Sequence, residues 1–380
     1  MDNWFVYVGG ALTAIYGSLI LVYRYWFKQL KPFKPINFKA PSVFFSVIIP
    51  ARNEAHNIQA CLQSILVQDY PLFEIIVVDD YSTDETAQIV QQMSLTYPQL
   101  QLIQLKDYID ATKTNSFKKK AIEFAVSKST GSWVLTTDAD CLVPPNWLHY
   151  YNSLILTDQP VFIAAPVMFT NNHQFSGIFQ VLDFLSLQGI TAAAVSAGAH
   201  SMCNGANLGY AKTAFEQVGR FTGIDHLASG DDMFLMHKMK KSFPEKLAYL
   251  FSQEAIVRTS PMPDWTSFIQ QRIRWASKAD SYQDKGIFGV LLLVYLFNAC
   301  LCVGLIWGIF NSTVLLYTLW LMAIKTLIEL SFMIPVAKFY QLERLLLYFP
   351  LMQPFHIFYT IIAGWLGKFG TYQWKSRTVH

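Results

Sequence analysis

Two apolar blocks bracket a middle of ordinary polarity, and this layout limits what the chain can fold into. Residues 4–26 form an apolar run of about the length a bilayer span needs, interrupted by Arg24 near its end. A cleaved signal peptide fits poorly, because no basic segment precedes the run and it is long for a signal's apolar core. Residues 1–27 therefore read as an uncleaved transmembrane anchor. Arg24, Lys28, Lys31, Lys34 and Lys39 follow closely, and the positive-inside rule holds the downstream side in the cytoplasm. The second block, residues 286–367, offers spans at 287–310 and 313–335. A third candidate, 345–366, contains Pro350 and Pro354, so it is a kinked span or a re-entrant or interfacial segment. The tail, 368–380, carries Lys368, Lys375 and Arg377, which favour the cytoplasm; on that side, one of the three candidates does not cross. Composition agrees with a membrane protein: 14% of residues are charged, against about 25% in soluble domains.

The remaining bulk properties exclude more than they assign. A net charge of +3 without a long basic run gives no support for nucleic acid as a partner. The five cysteines show neither metal-ligand spacing nor an even-numbered framework and read as reduced thiols. His56, His149, His173, His200 and His226 are scattered without zinc spacing.

The middle stretch alternates strand-like and helix-like runs. Strands are expected at 45–49, 74–78, 100–105 and 133–136, and helices at 57–66, 83–93 and 118–127. This alternation predicts an α/β fold with a parallel sheet and helices on both faces. Ligands in such folds bind beyond the carboxyl ends of the strands. Polar groups fall there repeatedly: Arg52, Asn53 and Glu54 after the first strand, Asp79 to Asp84 after the second, and Asp138-Ala139-Asp140 after the fourth. Ser82, Thr83 and Asp84 are good helix caps, and for Asp84 that role suffices. Asp138 and Asp140 precede two prolines, Pro144 and Pro145, and have nothing obvious to cap. Carboxylates two positions apart on an extended segment project to one side. They repel unless a positive group lies between them, and a hard cation with oxygen ligands, Mg2+ or Mn2+, suits the pair. Mg2+ is usually held by one or two carboxylates plus phosphate oxygens, so a phosphate ligand is implied as well. A lone Asp-x-Asp is a weak signal, and its position after a strand adds weight.

Six segments, "FSVIIPARNEAHNIQACLQSIL", "EIIVVDDYSTDET", "KKKAIEFAVSKSTGSWVLTTDADC", "CNGANLGY", "SGDDMFL" and "QQRIRW", occur in the order seen in family 2 glycosyltransferases, which the chain resembles over about residues 43–280. The closing "WKSR" resembles a tail of bacterial members, and one helix before the domain with several after it resembles the membrane-integrated branch. That branch includes poly-N-acetylglucosamine, cellulose and hyaluronan synthases and ceramide glucosyltransferases. The resemblance implies a GT-A nucleotide-sugar domain at 43–280, cytoplasmic, on a multi-pass inner-membrane protein. It implies that Ala51, Arg52 and Glu54 line the nucleoside pocket and that Asp80 accepts a hydrogen bond from uracil. Lys118 or Lys119 matches a lysine near the nucleotide, in a place where the family often has Gly-Lys and this chain has Phe117-Lys118. Asp138 and Asp140 match the metal pair, with Asp138 also near the donor sugar. Asp231-Asp232 stands where the family has Glu-Asp, making Asp232 the general-base candidate. Gln271, Arg274 and Trp275 match a Gln-x-x-Arg-Trp motif that closes over the diphosphate and acceptor at the membrane face.

The implied chemistry is inverting transfer from a UDP-sugar to a membrane lipid or a growing glycan. One base and no enzyme nucleophile mean direct displacement. Trp275 offers a flat face to a sugar ring and is also a normal membrane-interface residue. Residues 178–199 are apolar enough for a span, yet contain Asp183 and Gln188 and lie between the metal pair and the base. They are expected to form a buried or interfacial helix within the catalytic domain, walling the acceptor entrance. Residues 204–207 are expected to form a turn that presents Asn207 to the acceptor. Rival functions are a GDP-mannose-dependent mannosyltransferase making lipid-linked mannose, and a non-catalytic binding protein of the same fold. Few spans favour single addition, or work with a partner protein, over extrusion through a wide channel.

Overall fold

The computed structural model describes residues 3–380 except 36, 109–115, 171–172, 201, 226, 228–229, 282–283, 371, 375–376 and 380. His226 and Lys375 lie outside the described residues. Along the chain, α1 (Asn3–Gln29) leads to β1 (Phe45–Ala51), α2 (Ile58–Leu66), β2 (Phe73–Asp79), α3 (Thr86–Ser94), β3 (Leu100–Gln104), α4 (Phe117–Lys128) and β4 (Trp133–Thr136). There follow α5 (Trp147–Asp158), β5 (Phe162–Ala164), β6 (Val167–Phe169), α6 (Phe175–Ser196), β7 (Leu208–Ala211), α7 (Lys212–Gln217), α8 (Asp231–Ser242), β8 (Leu247–Tyr249) and β9 (Val257–Thr259). The chain closes with α9 (Trp265–Ala276), α10 (Lys285–Gly308), α11 (Ser312–Tyr340) and α12 (Phe349–Phe369). The elements divide into a sheet unit, Lys31–Met168 with Ser201–Ser260, and a helical unit, Met1–Leu30 with Phe169–His200 and Pro261–His380.

The sheet unit is built on seven strands in the order β3-β2-β1-β4-β7-β5-β8. β3, β2, β1 and β4 run parallel, with Ala51 opposite Asp79 and Ile48 opposite Thr136. β2 is buried along its whole length, as expected of a strand covered on both faces. The remaining half departs from the parallel sheet that the sequence predicts. β7 is antiparallel to both β4 and β5, and β8 is parallel to β5. The reason is the route of entry: β7 starts at Leu208, opposite Thr136 at the carboxyl end of β4, so it can only run back along it. At the opposite edge, the buried Glu74 carboxylate accepts hydrogen bonds from Ser46 Oγ (2.6 Å) and Thr130 Oγ1 (2.9 Å), a structural role.

The helical unit contains, among the described residues, five helices long and apolar enough to cross a membrane: Trp4–Gln29, Phe175–Ser196, Lys285–Gly308, Ser312–Tyr340 and Glu343–Phe369. α12 runs through both of its prolines. Pro350 lies in the first turn, where a missing N–H has no intrahelical bond to lose, and Pro354 follows one turn later. α6 differs from the others in being 83% buried along its most apolar window, the mark of a core helix. The sequence places 178–199 and 261–280 inside a 43–280 domain, whereas by packing α6 and α9 belong with the helical unit. Charges buried in this unit are paired, as a low dielectric demands. Lys325 Nζ lies 2.7 Å from Glu329 Oε1 and donates to Gln353 Oε1 at 2.7 Å. Gln353 Nε2 (2.7 Å) and the Tyr16 hydroxyl donate to Glu329 in turn, tying α1, α11 and α12 together.

Candidate active site

The chain steps outward from β1 to β2 and β3, then returns to place β4 on the other side of β1. The switch point between β1 and β4 is where an open α/β sheet leaves a crevice at its carboxyl edge. The loops after β1 and β2 are stitched together there. Arg52 Nη1 donates to the carbonyls of Asp80 (2.7 Å) and Tyr81 (3.2 Å), and Asn53 Oδ1 accepts the Thr83 N–H at 2.8 Å. Asn53 and Tyr81 both adopt left-handed backbone, at φ 52° and 55°, which these bonds hold in place. The Asp80 N–H donates to the Ala51 carbonyl (2.8 Å), and Asp80 itself is only 3% exposed. The Glu54 N–H donates to Thr86 Oγ1 (2.8 Å), while the Glu54 carboxylate accepts from Asn57 Nδ2 (2.9 Å). Asp84 serves the start of α3: its Oδ1 accepts the Thr86 N–H at 3.0 Å, and its Oδ2 accepts the Ala55 N–H at 3.0 Å.

A second cluster joins β4, α4, α8 and the turn at 204–207. Thr136 Oγ1 donates to the Gly205 carbonyl (2.8 Å), and the Gly205 N–H donates to Asp232 Oδ2 (2.9 Å). One residue thus bridges the end of β4 and the start of α8. Lys118 Nζ donates to Asp138 Oδ1 at 2.9 Å and lies 3.6 Å from Asp231 Oδ2. A Cβ at position 205 would make ordinary contacts, 3.4 Å from Lys118 Nζ and 3.7 Å from oxygens of both Asp231 and Asp232, so only a larger side chain would crowd this centre. Asp231 and Asp232 occupy the first turn of α8, where the helix dipole favours negative charge. Gly230 leads into that turn at φ 78°, a conformation that suits glycine. Burial pulls the Lys118 ammonium down, but Asp138, Asp231 and Asp232 outweigh it and hold its pKa well above the usual lysine range. Lys118 therefore stays charged at the centre of three carboxylates.

The donor set fits a hard divalent cation. Ligand atoms of Asp138, Asp140 and Cys141 lie within 4.8 Å of one another. Sulfur is a soft donor that suits other metals, whereas Mg2+ and Mn2+ take oxygen ligands, so Cys141 is the poor match of the three. Two carboxylates remain, the oxygen ligation that Mg2+ and Mn2+ prefer.

Two residues assigned to the site from sequence are scaffold instead. Lys119 is 1% exposed and donates to the carbonyls of Ile224 (2.8 Å) and Leu227 (2.6 Å), so it is not open to a donor molecule. Asn207 is fully buried, with its amide engaged on every side. Its Oδ1 accepts from Trp147 Nε1 (2.9 Å) and Tyr151 OH (3.0 Å), and its Nδ2 donates to the carbonyls of Pro166 (2.8 Å) and Ala255 (2.9 Å). It cannot meet an acceptor while those bonds last. Gln271, Arg274 and Trp275 lie on α9, in the helical unit. Sequence reasoning missed Thr136 and Gly205 individually; the signal was a glycine in the turn that leads into β7.

A stitched loop pair and an acid cluster around one lysine at the switch point mark the place where an open α/β sheet binds its ligand. The family model described as "Glycosyl transferase family 2" matches residues 46–219, and "Glycosyl transferase family group 2" matches 133–362, more than half of the chain. The chain belongs to glycosyltransferase family 2, and its fold is GT-A. Similar proteins include "Glycosyltransferase AglE" of Haloferax volcanii, 28% identical over 215 residues, which are 56% of this chain and 66% of the relative. An "N-acetylglucosaminyltransferase" of Mesorhizobium japonicum is 27% identical over 248 residues, 62% of this chain and 55% of the relative. The chain thus spans between about half and two thirds of these relatives. Among solved structures, a mannosyltransferase from Pyrobaculum calidifontis, in complex with GDP-Man and Mn2+, superposes with a TM-score of 0.61 at 20% identity, covering 89% of this chain and 99% of that one. The likeness is one of fold. The chain thus carries a family 2 glycosyltransferase domain, and divalent cations are typical of GT-A enzymes.

Proposed function

We propose that the protein transfers a sugar, with inversion, from a UDP-sugar to a membrane lipid or a growing glycan, and that the reaction needs a divalent cation. The observation that carries this is the meeting of Asp138 and Asp231 at Lys118, with Asp232 tied to the same centre through Gly205. Asp80, with Ala51, Arg52 and Glu54, forms the nucleoside end of the crevice. Asp138 and Asp140 would hold the cation, whose chemistry when bound is to neutralise charge on the departing diphosphate. Lys118 adds a fixed positive charge beside Asp138. Asp232 takes the proton of the acceptor hydroxyl as it attacks. Backbone N–H groups of Gly205 and Met233 (2.8 Å) orient this carboxylate, and a positioned base contributes roughly 10²- to 10⁴-fold. Gln271, Arg274 and Trp275 serve the diphosphate and acceptor, Arg274 through its forked donors. The apolar helices keep the domain at a membrane, with the sheet unit on the cytoplasmic side. Names of matched relatives support an N-acetylhexosamine donor, since two of them are an "N-acetylglucosaminyltransferase" and a "Poly-beta-1,6-N-acetyl-D-glucosamine synthase".

The test is nucleotide release by the full chain in detergent with UDP-N-acetylglucosamine, UDP-glucose and GDP-mannose, with and without Mn2+. Release from a UDP-sugar supports the proposal. Release from GDP-mannose alone moves the protein to the mannosyltransferase reading, and none with any donor favours a binding protein.

A further inference from the structure

α9 carries a residue that neither the motif nor the proposed mechanism uses. Arg272 is 5% exposed, and its guanidinium makes contacts in three directions. Nε (2.9 Å) and Nη2 (2.6 Å) both donate to Asp183 Oδ2 on α6. Asp183 Oδ1 accepts the hydroxyl of Tyr359 on α12. Nη1 donates to Gln271 Oε1 at 2.6 Å. The guanidinium carbon Cζ lies over the Phe268 ring, 4.5 Å from its centroid, and over the Trp275 ring, 4.3 Å from its centroid. The spacing explains this: Phe268 and Trp275 stand four residues before and three after Arg272, so all share one face of α9.

We infer that Arg272 is a positioning residue for the transfer reaction, clamped by Asp183 and Tyr359, which fixes the side chains of Gln271 and Trp275. By accepting from Arg272, Gln271 commits its carbonyl oxygen and leaves its amino group as the donor. Trp275 is held by the cation–π contact with the same guanidinium, with Phe184 tilted against it at 6.3 Å. A lysine cannot substitute, because one ammonium does not present a planar fork to Asp183, a further donor to Gln271 and a flat face to two rings. The ion pair also gives Asp183 a purpose: it is the one acid of α6, and it is satisfied by groups from two other helices.

The inference rests on the role proposed above for Gln271 and Trp275, so the experiment tests the two separately. The full chain in detergent is assayed for transfer as wild type, R272K, D183N, Y359F, Q271A and W275A, with folding checked by thermal melting and gel filtration. The expected result is that folded R272K and D183N lose about 10- to 100-fold in kcat, the scale of a small misplacement of reacting groups, with donor KM changed less than threefold. Y359F, which keeps the ion pair, loses less. A purely structural role predicts less folded protein but normal kcat per folded molecule, and that result overturns the inference. If R272K does not fold, D183N and Y359F decide it on the same criterion. Normal transfer by both Q271A and W275A overturns the role of the motif; their loss beside normal R272K and D183N overturns the positioning role alone.

Discussion

Replacing Asn207 separates scaffold from site most clearly. N207L is close in size but removes every polar atom of the amide. Four groups lose their partner: Trp147 Nε1, Tyr151 OH and the carbonyls of Pro166 and Ala255. Each buried unsatisfied group costs at least about 1 kcal/mol, so the loss is about 4 kcal/mol at the low end. At roughly 2–4 °C per kcal/mol for a unit of this size, the melting temperature should fall by about 8–16 °C. N207D sharpens the test, because it sets a carboxylate against the two carbonyls that now accept from Nδ2. Repulsion and burial would raise its folded pKa above the unfolded value of about 3.9. Such a group destabilises at pH above the unfolded pKa, and protonation relieves the penalty as pH falls. The deficit of N207D against wild type should therefore shrink from pH 8 to pH 5. The assay is thermal melting of the full chain in detergent, with acceptor KM measured on the folded fraction. A shift below about 2 °C with a selective rise in acceptor KM would refute the reasoning and restore Asn207 to the acceptor site.

Other outcomes follow from the same geometry. D232N should keep donor binding and lose transfer by roughly 10²-fold or more, read as donor KM against the rate of product formation. K118M and K119M should differ in kind: K118M lowers transfer in a folded protein, while K119M orphans the carbonyls of Ile224 and Leu227 and lowers melting temperature at near-normal donor KM. G205V should abolish transfer, since its side chain would enter the space between Lys118, Asp231 and Asp232, and a crystal structure of the variant should show that cluster spread apart. Lys118, held above the usual lysine range, contributes stability that is complete below its unfolded pKa of about 10.4 and is lost as pH rises through the folded value. Between pH 6 and pH 9 it should impose no limb on the rate profile, and K118M should leave the shape of that profile unchanged.

Much of the sheet unit was legible because local pattern and tertiary environment agree. The run 133–136 predicts β4 to the residue, and the expected strand at 74–78 gains only one residue at each end. α3 starts at Thr86 rather than 83, because Thr83 is drawn to Asn53 and Asp84 to Ala55, contacts across loops that local propensity does not register. The strands β5, β7 and β8 were not legible: they are three or four residues long, and their pairing depends on partners distant in sequence. Asn207 failed for the same reason. A polar residue in a turn looks like a ligand contact until four partners arrive from 41 to 60 residues away. In the run Lys118-Lys119-Lys120 the charges look equivalent, but successive positions on a helix point in different directions. Lys119 turns into the core, Lys118 reaches Asp138 and Asp231, and Lys120 pairs with Glu123 on its own helix. The carboxylates were legible as a set because each follows a strand end or opens a helix. That Lys118 and Gly205 gather them required the fold.

The central claim is that Asp138 lies in a metal and diphosphate site. Nucleotide release from a UDP-sugar by the full chain in detergent, with and without Mn2+, for wild type and D138N, tests it most directly. The account predicts Mn2+-dependent release by wild type and none by a folded D138N. Equal release by the two proteins under both conditions would contradict it.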